Sequence, residues 1–419
     1  MSASGIRTGH RGTAVVTGLG VVAPTGIGAR RHWESVLAGK SGLGRITRFD
    51  PAGCPVRVAG EVPGFEAGER VPGRLVPQTD RFTHFALAAA EEALDDAAVD
   101  PRALPEYAMA VVTASSSGGT EFGQREMERL YQRGPQWVGA YQSIAWFYAA
   151  TTGQVSIRHG MRGPCGVLCC EQAGGLDALG QSRRLLDTGS ELVLSGGTDA
   201  SLSPYGLVAQ TMTGELSTAD DPACAYLPFD AAASGFVPGE GGAFLVVETA
   251  ASARARGAEH YGELLGYAAG FDPPADSGRP PVLASVIRRA LVDAGLGPEG
   301  IGAVFADASG VPGRDRDEAR ALNEVFGAHG VPVTAPKALT GRLYGGAALD
   351  VATALLALGA GVVPHTPGLD RAAPEYAIDL VVDRPRRIGP PAALVLARGH
   401  GGFTSALVVG AGNRTCPET

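Results

Sequence analysis

Apolar positions along this chain fall into two alternating rhythms. Short Val/Ala/Leu-rich runs punctuated by Gly read as buried strands: "TAVVTGLGVV", "AMAVVTASSSGG", "ELVLSGGTD", "GGAFLVVET", "GAVFADASG" and "ALVVG". Between them lie Ala/Leu-rich stretches with apolar residues at helical spacing, such as "FTHFALAAAEEAL", "LDALGQSRRLL" and "VLASVIRRAL". That alternation predicts a layered α/β protein.

One similarity between distant segments refines the picture. "ALDDAAVDP" at 93–101 matches "ALVDAGLGP" at 290–298, each following a helical stretch and each leading into a strand that ends near Ser and Gly. A repeat spacing of ~200 residues is far too long for a solenoid. It predicts two similar halves packed as one body, 13–256 and 257–412, with loose tails at 1–12 and 413–419. "FDPPADSGRPP" at 271–281 reads as an exposed connection within the second half.

Residues 166–180, "GVLCCEQAGGLDALG", read as a strand, a tight turn and a helix, the elbow on which enzymes mount a nucleophile. Gly174 and Gly175 suit a tight turn, and the free N–H groups of the following helix would aim at residue 172. Such a site lowers a thiol's pKa and stabilises an oxyanion. Yet residue 172 is Gln, whose amide is no nucleophile. Gln172 either plugs the turn or uses the oxyanion-binding feature alone.

Composition narrows the function classes. The 419 residues are 45% apolar and 19% charged, with 61 Gly and a net charge of −8. No basic run or aromatic–basic interleaving suggests nucleic acid. No apolar run approaches the ~20 residues of a membrane helix, and the N-terminus lacks a signal-peptide core, so a soluble cytoplasmic protein is expected. The six cysteines, Cys54, Cys165, Cys169, Cys170, Cys224 and Cys416, form no CxxC pair and have no His at ligand spacing. They read as reduced thiols, and no metal site is expected. No cofactor is expected either: there is no Walker A loop, no GxGxxG opening a first βαβ unit and no HExxH.

Taken together, "VVTGLGVVAPTG", "RFD", "FTHFALAAAEEAL", the elbow, "YLPFDAAASGFVPGEGGAFLVVE" and "RGHGGFTSALVV" resemble a β-ketoacyl synthase. The resemblance spans about residues 13 to 411. It implies a thiolase-like fold, five-layered α-β-α-β-α, built from two similar halves. Such enzymes place a Cys at the elbow and two His further along. The matching positions here hold Gln172, Asp307 in "FADASG" and Arg342 in "KALTGRLYGG". Lys337, Glu318 and Asp315 of the wider pattern remain, and His400 stands where the family usually has a Phe gate. "YLPFD", "GEGGA", "SIRHGMRGP" and "EQAGGLDALG" resemble the ketosynthase-β subunit, or chain length factor, of bacterial type II polyketide synthases. That branch implies a heterodimer with a Cys-bearing ketosynthase-α, served by an acyl carrier protein bearing malonyl and polyketide thioesters.

The three replacements argue against condensation in this chain. Claisen condensation needs a thiolate to carry the chain and neutral imidazoles to hold the enolate oxygen. An ionised Asp307 would repel both malonyl and enolate, and Arg342 cannot release a proton. Pairing of Asp307 with Arg342 would fill the site. Two active readings compete: malonyl-carrier-protein decarboxylation aided by Gln172, and condensation by Cys170 after a register shift. Gln-bearing decarboxylating domains in the family keep both histidines, and Cys170 lies away from the activating helix end.

By resemblance, this subunit lends the partner's tunnel a wall within 114–134. Thr120, Gly123 and Met127 fall on one helical face, and Ile144 matches a further lining position. Packing in a dimer core is the other reading of these four. Thr and Gly leave room where bulky aromatics would close a tunnel, which leans toward a long chain without fixing the product length. "RRHW" with Arg30 and Arg31, and "SRRLL" with Arg183 and Arg184, are basic spots, read as ordinary solvated charge rather than carrier docking sites.

Overall fold

The structure is a computed structural model that describes residues 12–369 and 372–414. Of the expected tails, residues 1–11 and 415–419, Cys416 among them, lie outside the described residues.

The first half contributes strands β1 (Ala14–Ala23), β2 (Met109–Ala114), β3 (Cys165–Leu168), β4 (Leu192–Asp199) and β5 (Gly241–Thr249). The second contributes β6 (Gly262–Phe271), β7 (Ala303–Phe305), β8 (Pro332–Thr334), β9 (Ala392–Arg398) and β10 (Phe403–Ala411). Nearly every residue of β1, β2, β4, β5, β9 and β10 is buried, which is why these runs read as continuously apolar.

Hydrogen bonding orders the strands β3-β2-β4-β5-β1 and β8-β7-β9-β10-β6. Numbered within each half, both read 3-2-4-5-1, so the two halves share one topology. In each, the first connections are parallel and the last strand runs antiparallel to its neighbours. β1 and β6 pair antiparallel through Val15–Glu263 and Val16–Gly262, joining the halves edge to edge.

Nine helices carry the argument: α1 (Arg81–Asp96), α2 (Thr120–Arg133), α3 (Gln142–Ala145), α4 (Ala150–His159), α5 (Gly174–Asp187), α6 (Pro204–Thr211), α7 (Leu283–Ala294), α8 (Pro312–Phe326) and α9 (Ala347–Ala360). Alternate strand residues face opposite layers. Ala243, Leu245 and Val247 of β5 join a core with α5 and α9, whereas Phe244 and Val246 pack toward α1. In the second half, Ala393 and Val395 face α5 and α9, and Leu394 and Leu396 face α7 and α8. The result is five layers, with α5 and α9 sandwiched between the two halves of the continuous sheet. α9 is buried on all sides through Leu358, which explains its nearly unbroken apolar sequence.

The repeated segments at 93–101 and 290–298 close α1 and α7, the equivalent outer helices of the two halves. Residues 271–281 form a mostly exposed connection between β6 and α7. β3 sits at the free edge of the sheet, with Cys165 exposed and Gly166–Leu168 half-buried. The five described cysteines, Cys54, Cys165, Cys169, Cys170 and Cys224, are all free thiols. No helix among the described residues is long and apolar enough to cross a membrane.

Candidate functional site

The elbow forms, but not by the predicted means. β3 ends at Leu168, a single turn covers Glu171–Ala173, and α5 begins at Gly174. The residue that takes the left-handed backbone is Glu171, at φ 54°. Gly174 is helical, at φ −53° and ψ −35°. Gly175 is required for another reason: a Cβ there would lie 2.4 Å from the Ala348 backbone nitrogen of α9. Gly175 therefore serves the close crossing of the two central helices, and Gly174 lies against Ala114 of β2, where a Cβ would come within 3.1 Å, rather than making the turn itself.

Gln172 is buried beside this crossing, and its side-chain Oε1 has no hydrogen-bond partner among the described residues. Behind it the second half supplies a closed polar centre. Asp307 follows β7, and Arg342 lies in the loop between β8 and α9. Arg342 donates through Nη1 to Asp307 Oδ2 at 2.9 Å and to the Asp307 carbonyl at 3.0 Å. Its Nη2 donates to the Arg398 carbonyl at 2.7 Å. The second carboxylate oxygen of Asp307 accepts the Arg398 backbone N–H at 2.9 Å. The guanidinium also sits 5.5 Å from the Phe236 ring centroid, within cation–π range.

Charge is matched around this pair. Lys337 Nζ binds Asp350 of α9 at 3.0 Å and stands 4.0 Å from Asp307. Two cations thus face two carboxylates, all four buried. Burial alone would raise the Asp307 pKa, but Arg342 and Lys337 overrule it and hold the carboxyl at about 2. Glu318 on α8 accepts the N–H groups of Asp307 and Ala308 at 2.7 and 2.8 Å, fixing the turn that presents Asp307. Burial, with Asp307 and Asp315 nearby, pushes Glu318 up to about 7. Asp315 accepts from Phe229 N, Ser309 Oγ and Gly310 N, bracing the same turn.

Little space remains. The cavity lined by Gln172, Lys337, Arg342, Leu343, Ala347 and Asp350 measures about 10 Å³, at or below what one water molecule needs. Cys170 lies outside it, and burial with the neighbouring Asp177 pushes its thiol up to about 12. The glycine loop at 399–402 is held too. Arg314 donates to the Gly399 carbonyl at 2.7 Å and pairs with Glu215 at 3.3 Å, and His400 Nδ1 lies 3.7 Å from Glu215.

The candidate lining residues occupy a different region. Thr120 and Gly123 lie in buried positions at the start of α2, whereas Met127 and Ile144 are 37% and 44% exposed. Trp146, Phe147 and Tyr148 continue the exposed apolar face. Buried Asp80 anchors it by capping α1 and accepting the Phe122 N–H of α2 at 2.6 Å. Buried Glu126 accepts the Gly139 N–H at 2.5 Å, tying the chain after α2 back to the helix.

The sequence leads to an expectation of open room at Gly123, and the structure corrects it. A Cβ there would come 2.7 Å from Trp146 Cδ1, so an indole already fills that space. Asp350, Arg398, Glu171 and Trp146 are the participants that motif reading missed. Trp146 alone carried a signal, as the bulkiest residue of "SIAWFYA". Of the basic spots, Arg183 is spent within the fold on Asp293 and the Leu265 carbonyl. Among the described residues, no group of three His, Cys, Asp or Glu is placed to hold a metal.

With α5 and α9 crossing under an elbow and two halves of one topology, the architecture is that of a condensing enzyme. The β-ketoacyl synthase N-terminal domain matches residues 13–253 and the C-terminal domain residues 261–370. The chain belongs to the β-ketoacyl synthase family. It is 58% identical to the tetracenomycin polyketide synthase ketoacyl synthase beta subunit of Streptomyces glaucescens, over 94% of this chain and 97% of that protein. Among solved structures it resembles the ishigamide ketosynthase/chain length factor, with a TM-score of 0.87 and 27% identity, covering 96% of this chain and 99% of that one. It also resembles one chain of the solved complex of a type II polyketide synthase acyl-carrier protein with its ketosynthase bound to the hexaketide, with a TM-score of 0.86 and 26% identity, covering 96% of this chain and 100% of that one. These likenesses place it in the ketosynthase-β branch.

Proposed function

We propose that this chain is the chain length factor of a type II polyketide synthase. It pairs with a Cys-bearing ketosynthase-α, contributes a wall to the tunnel that holds the growing poly-β-ketone, and leaves condensation to its partner. The observation that carries this reading is the buried Arg342–Asp307 pair, which occupies the region where Gln172, Asp307 and Arg342 replace the family's Cys, His and His. An arginine and an ionised aspartate supply neither a thiolate nor a neutral hydrogen-bond donor for an enolate.

The same geometry weighs against decarboxylation by Gln172. A malonyl group cannot enter a space of about 10 Å³, and a carboxylate arriving there would meet Asp307 with its charge fixed. It weighs equally against Cys170, whose thiol stays protonated at neutral pH. The exposed apolar face at 127–148 and the free edge at β3 supply surface for the partner.

An acyl carrier protein bearing malonyl and polyketide thioesters would serve the assembled pair. The test is turnover. This chain alone should leave malonyl-carrier protein unchanged, and polyketide should form once a Cys-bearing ketosynthase-α is added.

A further inference from the structure

We propose that Trp146 is a determinant of product length, its indole forming the stretch of tunnel wall that the glycine at 123 would otherwise leave open. This rests on the chain-length reading above and names a residue that reading did not contain. Three observations carry it. First, the ring lies directly on Gly123: a Cβ at that position would meet Trp146 Cδ1 at 2.7 Å and Nε1 at 3.4 Å. Glycine at 123 therefore seats the indole against α2, and the small residue does not translate into empty volume.

Second, the backbone of Trp146 is fixed relative to that helix. Its carbonyl accepts the Gly119 N–H at 3.0 Å, at the residue that opens α2. Its own N–H donates to the Gln142 carbonyl of α3 at 3.4 Å. A Cβ at Gly118 would lie 2.6 Å from the Trp146 carbonyl oxygen, so close approach is built in on that side too. Held in this way, a ring with two side-chain torsions presents a defined surface at low entropic cost.

Third, Trp146 remains 52% exposed, and Ile144, Phe147 and Met127 are exposed large apolar residues as well. A linear polyketide passing along α2 would meet indole at the level of Gly123. Removing the ring uncovers the α2 backbone there and deepens the wall.

The test uses the full chain co-expressed with a ketosynthase-α and carrier protein, reading product length by mass spectrometry. Trp146→Phe, Trp146→Leu and Trp146→Ala form a series of falling volume, with Thr120→Phe in parallel. Trp146→Ala should move the main product to a chain longer by at least one ketide unit, Trp146→Leu should give a mixture, and Trp146→Phe should stay close to the parent. Unchanged length across assembled variants, while Thr120→Phe shortens the product, would overturn the role of Trp146 and leave the chain-length reading standing. Unchanged length in all four would remove that reading as well. Failure of every Trp146 variant to assemble would also overturn the proposal, assigning the ring to heterodimer contact alone.

Discussion

Two polar-to-apolar inversions distinguish this chain's inner and outer regions. In the centre, between the crossing of α5 and α9 and the end of β7, buried charges fill the space that chemistry would need. On the face formed by α2 and residues 144–148, large apolar side chains stand in solvent. A buried ion pair is weak support for stability, and an exposed apolar patch is a liability. Each makes sense when the other is considered. Under the proposed function the centre need not admit a substrate, and the face meets the partner. The difference teaches that one region is closed by paired buried charge while the other leaves apolar surface uncovered.

The sharpest way to break the comparison is at the centre. Arg342→Ala leaves Asp307 buried without its main partner and should cost about 3–5 kcal/mol in chemical denaturation. Replacing both Asp307 and Arg342 with apolar residues of similar volume should recover most of that loss. A single variant with unchanged stability would show that the pair does not fill the site as described.

On the face, Gly123→Phe should displace the Trp146 indole and shorten the polyketide made by the assembled pair, and Thr120→Phe should also shorten it. Overpacking at buried Thr120 should cost about 1–3 kcal/mol, so heterodimer yield must be measured beside product length. Unchanged length with an intact complex would count against the tunnel assignment.

One carboxylate from each region, Asp307 and Asp80, should also titrate with opposite sign. Asp307 is held near 2, below its ordinary 3.8, so it contributes stability above the ordinary value that is lost as pH falls through about 2. That contribution is on the order of 2 kcal/mol and should shrink in Asp307→Asn. Asp80, which anchors α2, is pushed by burial up to about 7, with Glu121 adding to the shift and its backbone bonds and Arg125 opposing it. Its contribution is present below the ordinary carboxylate value and lost as pH rises through about 7. Asp80→Asn should flatten stability between about pH 4 and 7. Equilibrium denaturation of each Asn variant against the parent across pH isolates the two contributions, and a common sign would contradict the environments assigned to Asp307 and Asp80.

The smallest effect concerns the sheet edge. Exposed Cys165 on β3 should react with iodoacetamide in the free chain and become protected when a ketosynthase-α is added. Cys170, with its raised pKa, should stay unmodified throughout. Cys165 labelling unaffected by the partner would place the interface elsewhere.

Local pattern made the layers legible, because the burial period of each strand and helix is written in its own residues. The matching segments at 93–101 and 290–298 likewise announced two equivalent outer helices. The Asp307–Arg342 pair was inferable from charge alone once both residues stood in one site. What stayed hidden depends on contacts between distant segments. Gly175 resembles a turn glycine until α9 is seen against it, and Asp350 gives no sign within an apolar helix that it will bind Lys337. Gly123 looks like open room because nothing local says that a tryptophan 23 residues later folds back onto it.

The most direct measurement is intact-mass spectrometry of the purified chain and its carrier protein after incubation with malonyl-loaded carrier protein. The account predicts no covalent adduct and no conversion of malonyl- to acetyl-carrier protein, followed by polyketide formation when a Cys-bearing ketosynthase-α is supplied. An acyl adduct on this chain, or acetyl-carrier protein formed by it alone, would contradict the claim that the centre is closed to chemistry.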